Sequence, residues 1–227
     1  MDRVVLISGG SDGLGKTIAQ YLSKKYKVVI LSPSEQKLKK AAKEIGCDYV
    51  VADVSDYESL VKAVSEIIKK YRRIDCLVNN AGLWIEGELD DNKPEEIRRA
   101  IEVNNLGVLL LSKAVIPQMK KQKQGLIINI NSQGGLYAKA ERSVYSAAKW
   151  AITGFTKSLQ GELAKYGISV TGIYPGKMKT QMFEKMGIEK DMKDGLDTKE
   201  VARLVEFLLE TNSLVNFPEI GIKNINN

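Results

Sequence analysis

The chain contains no histidine. That absence excludes a Ser-His-Asp or Cys-His nucleophile and any metal site built on imidazole. Tyr, Lys, Ser, Asn and the carboxylates are left to handle protons. There are only two cysteines, Cys47 and Cys76, each in its own apolar context. They supply neither a disulfide framework nor a zinc ligand set, and no metal is expected. No apolar run reaches the roughly 18 residues of a membrane span. The N-terminus does not read as a secretory leader, because Asp2 and Arg3 precede only Val4 to Ile7 before glycines begin. No membrane partner is expected, and the expected location is cytoplasmic. Internal repeats and low-complexity linkers are also missing.

What is present is 227 residues with 44% hydrophobic content. That is enough for one substantial core and too little for two comfortable domains, so residues 1–227 read as a single domain. Net charge is +6. The lysines are scattered over helical faces, as at Lys37, Lys39, Lys40 and Lys43, often beside Glu. The excess reads as solvation, and no nucleic-acid partner is expected.

Short apolar runs alternate with amphipathic segments. Strands are expected at 4–7, 27–31, 48–51, 74–78, 126–130 and 168–174, with a last one within 215–222, where Pro218 argues for an edge. Helices are expected at 14–26, 34–45 (capped by Ser34), 57–71, 143–166 and 198–210. A longer one opens at Pro94 and reaches about Met119. Strands of Val, Ile and Leu without polar alternation, each separated by a helix, imply a mostly parallel sheet covered on both faces. The expected fold is doubly wound α/β, Rossmann-type, in three αβα layers. Residues 178–197 have no place in the sheet, carry Met178, Met182, Met186 and Met192, and are expected to be a substrate-binding loop.

Three stretches carry chemistry. After the first strand comes S-G-G-S-D-G-L-G, Ser8 to Gly15, running into a helix. In that place glycines permit a tight turn and close approach to a pyrophosphate, while the helix start offers free N–H groups. A glycine turn without ligand is the alternative. The second stretch, Asn131 to Lys149, has Ser132 closing an apolar run, then Gly134 and Gly135, then a helix with Tyr145 and Lys149 one turn apart. A nearby ammonium favours the phenolate, and bringing a tyrosine from about 10 to about 7 takes roughly 4 kcal/mol. Taken alone, such a pair is more readily a solvent-facing contact. The third stretch, V-N-N-L-G, puts Asn104, Asn105 and Gly107 inside the long helix. Each costs about 0.6–1 kcal/mol relative to Ala. The stretch predicts a kink whose freed backbone binds something; the alternative is a helix rescued by packing.

In this order the motifs resemble the short-chain dehydrogenase/reductase family, over nearly the whole chain. Its T-G-x-x-x-G-x-G appears with Ser8 in place of Thr, followed by Gly9, Gly13 and Gly15. Asp53-Val54 resembles the acidic pair that holds adenine, and Asn79-Asn80-Ala81-Gly82 is similar to the family's N-N-A-G. Asn104 is similar to its helical Asn, and Ser132, Tyr145 and Lys149 to its catalytic Ser and Y-x-x-x-K. Pro175-Gly176 followed by Thr180 is similar to the P-G turn facing the nicotinamide.

The resemblance implies cofactor contacts from Gly9, Ser11, Asp12, Gly13, Leu14 and Gly15, from Ser32, Asp53 and Val54, from Asn80, Ala81 and Gly82, and from Tyr145, Lys149, Pro175, Gly176 and Thr180. It implies Tyr145 as general acid or base and Ser132 bonded to the same substrate oxygen. Lys149 would lower the Tyr145 pKa and hold the cofactor ribose, and Asn104 would place a water linking Lys149 to solvent. Members using NAD commonly have an acidic residue at the end of the second strand, where Ser32-Pro33 stands here. Members preferring NADP often have Arg near Pro33 or a basic residue before the second glycine, where Asp12 stands here. With no carboxylate at Ser32 to exclude a phosphate, NADP(H) is favoured over NAD(H).

The implied reaction interconverts a carbonyl and a secondary alcohol, with a 3-oxoacyl thioester or short hydroxy acid as the expected substrate class. The expected substrate wall is mostly apolar: Trp84, Ile85, Gln133 to Tyr137, and Met182 of the Met-rich loop. A homodimer or homotetramer is implied by the small stripe Ala147, Ala148, Ala151 and Gly154, although the tail lacks the D-G-G ending of many tetrameric relatives. A catalytically silent dinucleotide-binding sensor or scaffold is the competing class. It would have no use for the Ser132, Tyr145, Lys149 and Asn104 set.

Overall fold

Alternate side chains of the first strand enter two different cores. In β1 (Val4–Ser8), Val4 and Leu6 join one buried cluster while Val5 and Ile7 join the other, as the two-residue period of an extended strand requires. The computed structural model describes residues 3–180 and 191–226. Its further strands are β2 (Lys27–Ser32), β3 (Asp48–Val51), β4 (Cys76–Asn79), β5 (Gly125–Ile130), β6 (Ile168–Pro175) and β7 (Glu219–Ile222). Among the described residues they form a seven-stranded sheet in the order β3-β2-β1-β4-β5-β6-β7, with every pairing parallel.

One face is covered by α1 (Gly13–Leu22), α2 (Glu35–Ile45) and α7 (Thr198–Glu210), which contribute Ile18, Leu38 and Val205 to the core. The other is covered by α3 (Tyr57–Tyr71), α5 (Gly107–Gln122) and α6 (Ser143–Ala164), which contribute Leu60, Leu111 and Leu159. This is the doubly wound, three-layer single domain expected of buried Val/Ile/Leu strands. Ser34 caps α2 as expected, accepting from Lys37 N at 3.5 Å. Most boundaries hold within two residues of expectation, but α1 ends four residues early. Helix α1 stops at Leu22, because the Lys25 and Tyr26 N–H groups both turn back to the Leu22 carbonyl and feed the chain into β2. Strand β7 begins only after Pro218 and lies at the sheet edge, the place a proline permits.

The long helix is interrupted where its sequence is weakest. Helix α4 (Pro94–Ile101) passes into a π-helical turn at Glu102–Leu106 and then into α5. The Gly107 N–H reaches back to the Glu102 carbonyl, and such a register shift leaves a backbone carbonyl without an intrahelical partner. Gly107 is required there for a second reason, since a Cβ would meet Val54 Cγ2 at 2.6 Å. By length and composition alone the 29-residue helix Pro94–Gln122 could cross a membrane. Here its Leu111, Val115 and Met119 are fully buried against the sheet.

Polar bonds join sheet to helices near the carboxyl ends of β4 and β5. Asn79 Nδ2 donates to Ser112 Oγ at 3.0 Å and to Asn129 Oδ1 at 2.9 Å. Asn129 Nδ2 donates to Thr156 Oγ1 at 2.9 Å, and Asn131 Nδ2 to Thr153 Oγ1 at 2.9 Å. Strand order reverses between β1 and β4, and in such sheets the crevice beyond the strand ends at that point is where ligands bind.

Candidate active site

The crevice opens into a cavity of about 1190 Å³. Its floor is a seam between the ends of β1 and β4. The Ser8 hydroxyl accepts from the N–H groups of Asn80 at 3.0 Å and Ala81 at 3.1 Å, and Asn80 Nδ2 donates to the Ser8 carbonyl at 3.0 Å. Gly9 holds a φ of 65, and a Cβ there would lie 3.0 Å from Ala81 Cα. A Cβ on Gly15 would overlap the Gly9 carbonyl oxygen. These two positions need glycine because backbone packs on backbone. Beside them the start of α1 faces the cavity through Gly13 and Leu14. Free helix N–H groups beside a turn without side-chain bulk are a cradle that fits a dinucleotide diphosphate.

At the other end of the cavity Ser132 follows β5, its Oγ accepting from Gly134 N at 3.1 Å. Gly134 lets the phenol in, since a Cβ would sit 3.1 Å from Tyr145 Cε1. Tyr145 and Lys149 are 9% and 7% exposed, so the solvent-facing alternative for this pair does not hold. Lys149 Nζ lies 5.8 Å from the Tyr145 ring centroid and donates to the Ile130 carbonyl at 3.4 Å. Burial pushes the Lys149 ammonium down to about 8. Burial also pushes the Tyr145 phenol above its ordinary value, with a Ser132 hydrogen bond and the Arg142 charge pulling it partly back. The expected lowering of Tyr145 by Lys149 is therefore not what the site holds. Desolvation outweighs the pull of Ser132 and Arg142, and the phenol is protonated at neutral pH.

Asn104, 1% exposed, lies on the π-helical turn. Its Oδ1 accepts from Leu83 N at 3.0 Å and its Nδ2 donates to Leu83 O at 2.8 Å. The side chain is thus committed to the Leu83 peptide. Gly82 fits tightly between these groups: a Cβ there would lie 3.0 Å from Asn104 Oδ1 and 3.9 Å from Lys149 Nζ.

Most of the expected site residues meet on this cavity. Gly9, Ser11, Asp12, Gly13 and Leu14 line it, as do Asn80, Ala81, Gly82 and Trp84. So do Asn104, Ser132, Gln133, Tyr137, Tyr145 and Lys149, with Pro175, Gly176 and Thr180. Gly15, Ser32, Asp53 and Val54 stand behind its wall. Ser32 is buried at the end of β2, and Val54 packs on Gly107. Asp53 is held by Arg99, whose Nη2 reaches its Oδ2 at 2.8 Å, and by Ser55. Burial alone would raise this carboxyl, but these bonds hold it below its ordinary value. Met182 lies outside the described residues. The ends of its loop are joined by a parallel bridge between Met178 and Leu196.

Sequence reasoning missed Arg99 and Arg142, which both line the cavity. Arg142 had a readable signal, standing three residues before Tyr145 and so on its helix face. Arg99 pairs with a residue far away in the chain, and nothing local announces it.

A family model described as short chain dehydrogenase matches residues 3–191. The trans-4-hydroxycyclohexanecarboxylate dehydrogenase of Sinomonas cyclohexanicum is 35% identical, the match covering 93% of this chain and 87% of the relative. The human 3-oxoacyl-[acyl-carrier-protein] reductase is 33% identical, covering 93% and 92%. An alcohol dehydrogenase from the archaeon Thermococcus sibiricus, complexed with 5-hydroxy-NADP, superposes with a TM-score of 0.90 at 27% identity, covering 99% of this chain and 97% of that one. A single-residue variant of the actinorhodin polyketide ketoreductase, with NADPH, also gives 0.90 at 27% identity, covering 98% and 96%.

Proposed function

The chain belongs to the short-chain dehydrogenase family of NAD(P)-dependent oxidoreductases, and from that premise we propose that it reduces a carbonyl to a secondary alcohol with Tyr145 as the acid. The observation that carries this reading is the meeting of Ser132, Tyr145 and Lys149 at one end of a cavity whose other end is a glycine cradle. The bound dinucleotide supplies or accepts the hydride. Everything else falls to the side chains. Tyr145, protonated at neutral pH, gives its phenolic proton to the carbonyl oxygen. Ser132 donates a hydrogen bond to the same oxygen as charge grows there. Lys149 holds the cofactor ribose, and its charge favours the phenolate left behind. A water on the freed backbone at Asn104 passes a proton inward. Run backwards, the same groups oxidise an alcohol, with the phenolate as base.

NADP(H) is the favoured cofactor. Ser32 places no carboxylate at the end of β2, and the Asp12 carboxylate is engaged at the start of α1, accepting from Gly13 N at 2.7 Å. Structural relatives hold NADP or NADPH. Ser32 and Asp53 would serve the adenosine half of the cofactor. The substrate is a 3-oxoacyl thioester or a short hydroxy acid. Support comes from the wall of Trp84, Ile85 and Tyr137, and from relatives named for an oxoacyl substrate and a hydroxy-carboxylate. A homodimer or homotetramer through α5 and α6 is part of the reading. Ala147, Ala151 and Gly154 are exposed there beside Trp150, 50% exposed. Two free cysteines accord with a cytoplasmic location.

The test is a panel of carbonyl compounds followed by NADPH and NADH absorbance, with Tyr145→Phe as control. Turnover by the wild type with at least hundredfold loss in the variant is expected. Full activity in Tyr145→Phe would sink the assignment of the acid. A dinucleotide-binding protein that turns over nothing on a broad panel would favour the silent sensor.

A further inference from the structure

Arg142 stands one helical turn ahead of Tyr145 and is tied to the loop after β4. Its Nη2 lies 3.3 Å from Glu86 Oε1, and its guanidinium carbon lies 5.0 Å from the centroid of the Trp84 ring. A backbone link runs in parallel: the Gly87 N–H donates to the Glu141 carbonyl at 2.8 Å. Glu141 holds a φ of 60, a left-handed conformation uncommon outside glycine. Trp84 is fixed at its edge, where Nε1 donates to Glu86 Oε2 at 3.2 Å. The same indole rests on Tyr145, with ring centroids 4.4 Å apart and planes inclined by 51°. An ion pair, a cation–π contact and an aromatic contact therefore run in series from Glu86 through Arg142 and Trp84 to the phenol. Short-range aromatic and cation–π contacts restrict ring orientation as well as contributing energy.

We propose that Arg142 and Trp84 are positioning residues for Tyr145: Arg142, anchored on Glu86, holds the indole against the phenol ring and fixes where the phenolic oxygen delivers its proton. The proposal rests on Tyr145 being the acid. The groups facing that phenol are Lys149 and Arg142 from α6 and its entry, Ser132 from the turn after β5, and Trp84, with Glu86 behind Arg142. Arg142 is the cation among them whose charge already favours the phenolate in the ligand-free protein.

The experiment measures kcat and KM across pH for Arg142→Met, Arg142→Lys, Trp84→Leu, Trp84→Phe and Glu86→Gln. Arg142→Met and Trp84→Leu are expected to lose about tenfold or more in kcat, with cofactor KM held within about twofold. The pH limb governed by Tyr145 moves upward in Arg142→Met, because a cation favouring the phenolate is gone, and stays in place in Trp84→Leu. Arg142→Lys keeps the limb but recovers only part of kcat, since an ammonium has no planar face to lay on the indole. Trp84→Phe recovers part of the Trp84→Leu loss.

A ligand-free readout accompanies these. In a Trp150→Phe background Trp84 is the one tryptophan left. Its emission should be quenched at alkaline pH as Tyr145 ionises, with a higher midpoint in Arg142→Met and no such step in Tyr145→Phe. Wild-type kcat in both Arg142→Met and Trp84→Leu, together with an unmoved limb in Arg142→Met, overturns the proposal. If those two variants melt too early to assay, Glu86→Gln decides, and wild-type kcat there overturns it as well. Activity retained by Tyr145→Phe would point instead to an error in the acid assignment itself.

Discussion

The Asn104 side chain grips the Leu83 peptide at both ends, accepting from its N–H at 3.0 Å and donating to its carbonyl at 2.8 Å. A buried amide is thus spent on holding the loop that follows β4 against the π-helical turn. The same contact keeps Gly82 beside Lys149.

Replacing that amide tests the grip. Asn104→Ala leaves two backbone groups without their partner, costing about 1–3 kcal/mol, which at this chain length is a fall of about 2–4 °C in Tm per kcal/mol. Asn104→Asp should be worse despite its closer shape, because a carboxylate oxygen would then face the Leu83 carbonyl. Thermal melts of the three proteins rank them; Asp equal to or better than Ala would contradict the assignment of the amide orientation.

Two glycines of the same turn should behave differently. At Gly13, φ is 51 and nothing stands within 4 Å of a Cβ, so Gly13→Ala costs only the conformational penalty, about 1 kcal/mol. At Gly15 the Cβ would strike the Gly9 carbonyl, a backbone atom that cannot give way cheaply. Gly15→Ala should therefore lose much more folding stability than Gly13→Ala, measured by denaturant titration of both variants. Equal stability in both would refute the packing account.

Lys149 gives a pH signature in the ligand-free protein. Its folded pKa is pushed down to about 8, against an ordinary value of about 10.4. Between those values the unfolded chain binds the additional proton, so this group makes stability rise with pH across that window. Below about 8 both states are protonated and the penalty is complete, roughly 3 kcal/mol. Lys149→Met should accordingly be the more stable protein at pH 7, with the gap closing from pH 8 toward 10. Cys47, raised to about 11, and Tyr145, also raised, act in the opposite sense. They remain in both proteins, so the difference isolates the lysine. Denaturant titrations at several pH values measure it, and a gap independent of pH would count against the buried ammonium.

Arg99 links the cavity wall to Asp53. Their side chains are 42% and 32% exposed, so the pair itself adds less than about 1 kcal/mol to stability. Its effect should appear in binding instead. Arg99→Met frees the Asp53 carboxylate and should raise the cofactor KM by roughly threefold to tenfold, about 1 kcal/mol, with kcat within about twofold. A kcat loss with unchanged KM would place Arg99 in the chemistry and not in adenosine binding.

Much of this was readable from the chain. Unalternating runs such as Val4 to Ile7, each followed by an amphipathic segment, dictate a sheet buried on both faces. Ser8 to Gly15 sits where only a strand-to-helix turn fits. The weakness at Asn104, Asn105 and Gly107 was visible as poor helix propensity, but propensity measures cost and not register, so the π-helical turn itself was hidden. The Tyr145 pKa went the other way from expectation because sequence spacing reports a neighbouring charge and is silent on desolvation. The pairings of Arg99 and Arg142 were hidden for a related reason: Asp53 and Glu86 are brought to them only by the closing of the sheet, although the place of Arg142 three residues before Tyr145 was legible.

The buried asparagines at the ends of β4 and β5 have a mechanical consequence. Oily surfaces can slide over one another at little cost, since dispersion and hydrophobic contact have no direction. The bonds from Asn79 to Ser112, from Asn129 to Thr156 and from Asn131 to Thr153 do have direction. They work like dowels, fastening two helices to two strands at the end of the sheet where the reacting groups stand. They fix where Ser132 stands relative to Tyr145 in a way that apolar contact alone would not.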